Sequence, residues 1–144
     1  MTIFDELRAG RTTTSADETK SLASRFARAL PLDTTLALHG DLGVGKTTFV
    51  QGLASGFGVN DAVTSPTFNI YTVHRSVART LVHLDAYRLE NAHQVDDLSL
   101  EDFLVSPWCM AIEWPEKISN WIPANALHLE LGINSEQDHT IRLR

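Results

Sequence analysis

Gly40-Asp41-Leu42-Gly43-Val44-Gly45-Lys46-Thr47 is the stretch that decides how this chain is read. It fits the spacing G-x-x-x-x-G-K-[ST], and each fixed position has a mechanical purpose. Glycines adopt backbone conformations closed to residues with a Cβ, which lets main-chain N–H groups approach phosphate oxygens. Those N–H groups form an anion nest, and a helix starting near Lys46 adds the positive end of its dipole. Lys46 supplies a mobile cation for β- and γ-phosphates. The Thr47 hydroxyl is a hard oxygen ligand suited to Mg²⁺. The run Asp41, Leu42, Gly43, Val44, Gly45, Lys46 and Thr47, with Thr48 after it, is expected to bind a nucleoside triphosphate, ATP, together with Mg²⁺.

The flanks support this reading. Residues 34–39 read as a buried strand leading into the loop. Residues 46–57 read as the helix leaving it, with Phe49, Val50, Leu53, Ala54 and Phe57 on one side and Gly58 placed to end it. Upstream, Ser15-Ala16-Asp17-Glu18 reads as a capping box. It opens a helix with Leu22, Ala23, Phe26, Ala27 and Leu30 at helical spacing, which Pro31 stops. Downstream, residues 69–74 and 80–84 are strand candidates that can pair as a hairpin. Residues 91–105, polar and acidic, read as one or two short helices. Residues 108–113 form another strand, 116–121 a short helix, and 127–133 and 140–143 two final strands. Helices between strands predict a single α/β domain over residues 1–144. It is P-loop NTPase-like and three-layered, with a mixed, mainly parallel central sheet and antiparallel end strands.

A phosphate-binding loop needs carboxylates on the metal side, commonly at the ends of other strands. Asp85 follows Leu81-Val82-His83-Leu84, and Glu113 ends Trp108-Cys109-Met110-Ala111-Ile112. Ligands gather at the carboxyl ends of parallel strands, so both can face the nucleotide. One would serve Mg²⁺ and the other the attacking water, and the spacing leaves that division open. Thr67, in Ser65-Pro66-Thr67-Phe68, reads either as a switch residue meeting Mg²⁺ or the γ-phosphate, or as part of a rigid turn fixed by Pro66.

Composition narrows the classes. The 144 residues include 12 basic and 18 acidic side chains, a net charge of -6. That balance argues against strong direct binding of nucleic acid, so a role in RNA metabolism would run through partner proteins. No apolar run approaches the roughly 20 residues that cross a bilayer, and MTIFDELRAG does not read as a signal peptide. The single Cys109 lies in an apolar run and reads as buried core, in keeping with a reducing cytoplasm. The six histidines show no H-E-x-x-H spacing and read as strand or surface residues. There is no N-K-x-D segment for guanine. Arg75, Arg79 and Arg88 are too few for the basic lid of a small-molecule kinase, and Arg88 is the one candidate for an arginine acting in cis. A kinase and a non-hydrolysing ATP switch are the alternatives to an ATPase. Asp96, Asp97, Glu101 and Asp102 read as a solvated face or as a dock for a basic partner.

The loop string continued by Thr48-Phe49 resembles the TsaE (YjeE) family of bacterial ATPases. So do Ser65-Pro66-Thr67-Phe68, His83-Leu84-Asp85-Ala86-Tyr87-Arg88-Leu89 and Ile112-Glu113-Trp114-Pro115-Glu116, in the same order. The resemblance implies an ATPase, slow alone, needed for threonylcarbamoyladenosine in tRNAs that read codons beginning with A, acting with TsaB and TsaD partners. It implies phosphate and metal roles for Lys46 and Thr47, a switch-like place for Thr67, and a site completed by Asp85, Glu113 and Trp114. Three departures stand out. Val44 replaces the commoner Ala at a position read as outward-facing, Ala86 stands where Leu is frequent, and Ser99 stands where a Gly is expected.

Overall fold

Period-two alternation along the strands sorts the core onto two faces of one sheet. In the computed structural model, which describes residues 1–41, 43–64, 66 and 70–144, the elements begin with α1 (Ile3–Ala9), β1 (Arg11–Thr13), α2 (Ala16–Ala29), β2 (Thr34–His39) and α3 (Lys46–Gly56). There follow β3 (Tyr71–Arg75), β4 (Thr80–Asp85), α4 (His93–Asp96), β5 (Trp108–Glu113), β6 (Leu127–Ile133) and β7 (His139–Leu143). Short 3-10 turns cover Leu100–Phe103 and Pro115–Ile118. The strand order is β1-β7-β6-β2-β5-β4-β3. The inner four strands, β6, β2, β5 and β4, run parallel, while β3, β7 and β1 pair antiparallel. This is the expected mixed sheet with antiparallel ends.

On one face, Leu36, Leu38, Leu81, Cys109, Ala111 and Leu129 meet the apolar sides of α1, α2 and α3. On the other, Val82, Leu84, Met110 and Ile112 meet Leu89 of the loop after β4 and Val95, Leu100 and Ile118 of the short helical segments. Each fully buried side chain of this size contributes about 1.5–3 kcal/mol relative to exposure. Helices α2 and α3 approach closely because α3 presents Gly52 and Gly56 one turn apart. A Cβ at Gly52 would lie 2.5 Å from the Lys20 carbonyl oxygen, and one at Gly56 would lie 2.7 Å from the Ala27 Cβ. Phe26 of α2 meets Phe49 of α3 at 6.2 Å between ring centroids. Cys109 is fully buried, which pushes its thiol up to about 12.

Several boundaries differ from expectation. The N-terminal α1 and β1 were not anticipated. Thr2 and Asp5 cap α1 reciprocally: the Thr2 hydroxyl accepts from Asp5 N–H at 3.1 Å and Asp5 accepts from Thr2 N–H at 3.0 Å. At α2 the Ser15 hydroxyl does accept from Glu18 N–H at 3.1 Å. Glu18 itself reaches Thr14, through its N–H and its hydroxyl, rather than Ser15. The expected helix over 116–121 is a 3-10 turn over Pro115–Ile118, started by a proline that presets φ. The strand expected over 69–74 spans Tyr71–Arg75, and Asn69 lies outside the described residues. Ser99 has a φ of 51°, in the left-handed region, which accounts for glycine being expected there.

Candidate functional site

The loop between β2 and α3 is shaped by glycines at positive φ: Gly40 at 146°, Gly43 at 80° and Gly45 at 95°. A Cβ on Gly40 would sit 2.5 Å from the Leu131 carbonyl oxygen, so the loop is pressed against β6 as well as curled. Lys46 opens α3 and is buried. Its Nζ donates to the Gly40 carbonyl at 2.6 Å and lies 3.9 Å from the centroid of the Trp114 ring. The ammonium is thus folded back over its own loop, held by a carbonyl and by a cation–π contact. Burial lowers its pKa from the ordinary lysine value, opposed by the charges of Glu113, Asp85, Glu116 and Asp41 in that order.

A cleft of about 360 Å³ opens over this loop. Gly43, Gly45, Lys46, Thr47 and Thr48 line one side, and Asp85, Glu113 and Trp114 line the other. Strands β4 and β5 bring the carboxylates together: Asp85 and Glu113 are partners in the parallel register. Both continue the face of Leu81, Cys109 and Ala111, against which α3 packs. Asp85 Oδ1 accepts from Tyr87 N–H at 3.0 Å, which closes the turn after β4. Trp114 has a φ of 56°, unusual for a bulky residue, and its ring meets Tyr87 at 5.1 Å. Strained conformations of this kind cluster at ligand sites because the surrounding structure must hold them.

Two histidines enter the site that sequence reasoning set aside as strand or surface residues. His83, wholly buried, donates from Nε2 to Glu113 Oε2 at 2.6 Å. His139 lines the cleft and binds the Val44 carbonyl through Nδ1 at 2.9 Å. The alternation in β4 does place His83 on the face of Asp85, which is a usable signal. Nothing near His139 in the chain announces a partner 95 residues away.

Not every expectation holds. Val44 is not outward-facing: it is buried in the core cluster beneath α2 and α3, so its size matters to packing. Asp41 and Val44 border a neighbouring hollow with His39 and Glu116 rather than the cleft itself. Leu42 and Thr67 lie outside the described residues. Arg79 serves the fold. It donates to the Leu30 and Pro31 carbonyls at 3.2 and 2.9 Å and covers the Phe57 ring at 5.0 Å, so it is no part of a lid.

A strand ending in a glycine loop, a helix begun by its lysine, and carboxylates at the ends of neighbouring parallel strands define a P-loop NTPase fold. A sequence model of the family described as "Threonylcarbamoyl adenosine biosynthesis protein TsaE" matches residues 13–142, and the chain belongs to the TsaE family. It is 35% identical over 129 residues to the tRNA threonylcarbamoyladenosine biosynthesis protein TsaE of Bacillus subtilis (strain 168), spanning 90% of this chain and 80% of that one. The protein of the same name from Streptomyces coelicolor is 44% identical over 100 residues, covering 67% of each. Among solved structures, Bacillus subtilis YdiB superposes with a TM-score of 0.77 at 29% identity, over 93% of this chain and 82% of that chain.

Proposed function

We propose that this chain binds and hydrolyses Mg²⁺-bound ATP in support of tRNA threonylcarbamoyladenosine formation, as a cytoplasmic protein acting with TsaB- and TsaD-like partners. The observation that carries the reading is one cleft shared by Lys46, Thr47, Glu113 and Asp85 at the mouth of the glycine loop. The names of the curated relatives supply the pathway.

The residues fit both ligands. The loop's N–H groups and Lys46 receive phosphate oxygens, with Lys46 exchanging the Gly40 carbonyl for phosphate. A hydroxyl and two carboxylates are a hard oxygen set. Among the described residues no three His, Cys, Asp or Glu side chains form a metal cluster. Thr47 with Glu113 or Asp85 would hold the cation. When bound, Mg²⁺ neutralises charge on the phosphate oxygens. We assign Glu113 with Thr47 to the metal side, because β5 is hydrogen-bonded directly to β2 and Glu113 is the carboxylate felt most strongly by Lys46. Asp85, one strand further out, takes the water side. Trp114 closes the cleft and steadies Lys46.

The net charge of -6 keeps this chain off tRNA itself, so the nucleotide cycle acts through the partner complex. Arg79 is committed to the fold, and an arginine supplied by a partner or by Arg88 would act on the phosphates, a contribution of about 10³–10⁵ in rate in related phosphoryl-transfer enzymes. The test is ATP hydrolysis by the chain alone and with TsaB- and TsaD-like proteins, alongside a pull-down with and without ATP. Slow turnover raised by the partners is expected. A folded chain that fails to bind Mg²⁺-ATP, or a complex with no stimulation, would overturn the reading.

A further inference from the structure

Glu113 and Lys46 have opposite charges and line the same cleft, yet among the described residues no ion pair joins them. Lys46 is held instead by the Gly40 carbonyl and the Trp114 ring. The carboxylate is held by His83, whose Nε2 lies 2.6 Å from Glu113 Oε2. A carboxylate accepts, so the imidazole proton sits on Nε2. The ring's Nδ1 is buried with no hydrogen-bond partner among the described residues.

A wholly buried ring with one unmatched nitrogen carries a cost of its own, which its bond to Glu113 has to offset. What the ring supplies is a directed donor to Glu113. Without it, the carboxylate in a partly desolvated cleft would be drawn toward the Lys46 ammonium, because attraction between unit charges grows as water is excluded. An ion pair there would occupy the two groups that a nucleotide and its metal require.

We infer that His83 is a positioning residue that tethers Glu113 away from Lys46, keeping the ammonium free for phosphate and the carboxylate free for the metal side. The inference rests on the proposed roles of Lys46 and Glu113 and extends them to a residue that does not touch the ligand.

The geometry specifies the test. Glutamine carries its amide nitrogen as many bonds from Cβ as His Nε2, whereas the asparagine nitrogen matches Nδ1. Binding of metal-free ATP, in EDTA, is measured calorimetrically for wild type, His83→Leu, His83→Gln, His83→Asn, Glu113→Gln and the His83→Leu/Glu113→Gln pair, with circular dichroism for fold. His83→Leu should weaken ATP binding about tenfold, as expected when a charged donor is diverted. His83→Gln should stay within about twofold of wild type, and His83→Asn should behave like His83→Leu. In the Glu113→Gln background His83→Leu should add nothing, because its effect runs through the carboxylate. Equal affinity for folded His83→Leu and wild type, or effects that multiply in the pair, would overturn the inference. If His83→Leu does not fold, the Gln and Asn variants decide, and Asn binding as well as Gln sinks it. A wild-type chain that binds no ATP would instead defeat the proposed function itself.

Discussion

Replacing Lys46 by alanine separates the loop's backbone from its cation. The wild-type ammonium is buried, 2.6 Å from the Gly40 carbonyl and 3.9 Å from the Trp114 ring. Its pKa is lowered first by burial, so the folded chain carries a desolvated charge before any ligand arrives. Truncation relieves that cost. Alanine is also the best helix former and stands at the first residue of α3, so stability should fall by no more than about 1 kcal/mol. Binding is another matter. A hydrogen bond to a charged group is worth about 1.5–3 kcal/mol, and about 1.4 kcal/mol is tenfold in affinity. A lysine serving β- and γ-phosphates therefore accounts for roughly 10- to 100-fold in the affinity for ATP, and for less with ADP. Calorimetric titration of both nucleotides into wild type and Lys46→Ala, with thermal unfolding to confirm the fold, measures each quantity. Unchanged ATP affinity in a folded variant would refute the assignment of this loop.

Glu113→Ala should raise the Mg²⁺ concentration needed for half-maximal hydrolysis, whereas Asp85→Ala should keep nucleotide and metal binding and lose turnover; a Mg²⁺ titration of the rate separates them. Gly40→Ala, whose Cβ would meet the Leu131 carbonyl at 2.5 Å, should cost about 2–3 kcal/mol in urea unfolding. Gly43→Ala, with nothing within 4 Å of its Cβ but a φ of 80°, should cost only about 1–2 kcal/mol. Ser99→Gly should stabilise by about 0.5–1 kcal/mol, because the left-handed φ of 51° is relieved at the expense of some chain entropy. His39 and His128 share a 2.8 Å hydrogen bond, and burial, ahead of Arg144, lowers both pKa values from 6.5, with Glu116 and Glu130 opposing at His39. Between the lowered values and 6.5 the folded chain binds fewer protons than the unfolded one, so this contribution is whole above pH 6.5 and lost as pH falls through the folded values. Thermal unfolding from pH 7.5 to 5.5 should show a smaller loss in a His39→Gln/His128→Gln variant than in wild type.

Residues 40–47, the strand before them and the helix after them were legible in the sequence because each depends on local spacing: glycines where φ turns positive, alternation along β2, a helical stripe along α3. Asp85 and Glu113 were legible for the same reason, each closing an apolar run that can only be a buried strand. The antiparallel β3–β4 and β6–β7 pairs also follow from short connections, whereas β1 reaches β7 from the far end of the chain. The N-terminal helix carried its own signal in Thr2 and Asp5, three residues apart and reciprocally bonded, though it lies too near the chain end for periodicity to declare it.

Strand order belongs to the tertiary structure. Local pattern shows that β4 and β5 are strands, but their parallel register is what brings Asp85 beside Glu113 and His83 into hydrogen-bond contact with it. Val44 looks like a free loop position until the fold buries its side chain in the core cluster, beside a Gly40 pressed against β6. His139 is a strand residue like any other until β7 folds back beside the loop and presents it to the Val44 carbonyl. Sequence spacing reports contacts within a few residues, because backbone geometry repeats over that distance. Contacts across 30 or 95 residues are settled by how whole elements bury their apolar faces together, and the two histidines acquire their places in the site from that packing.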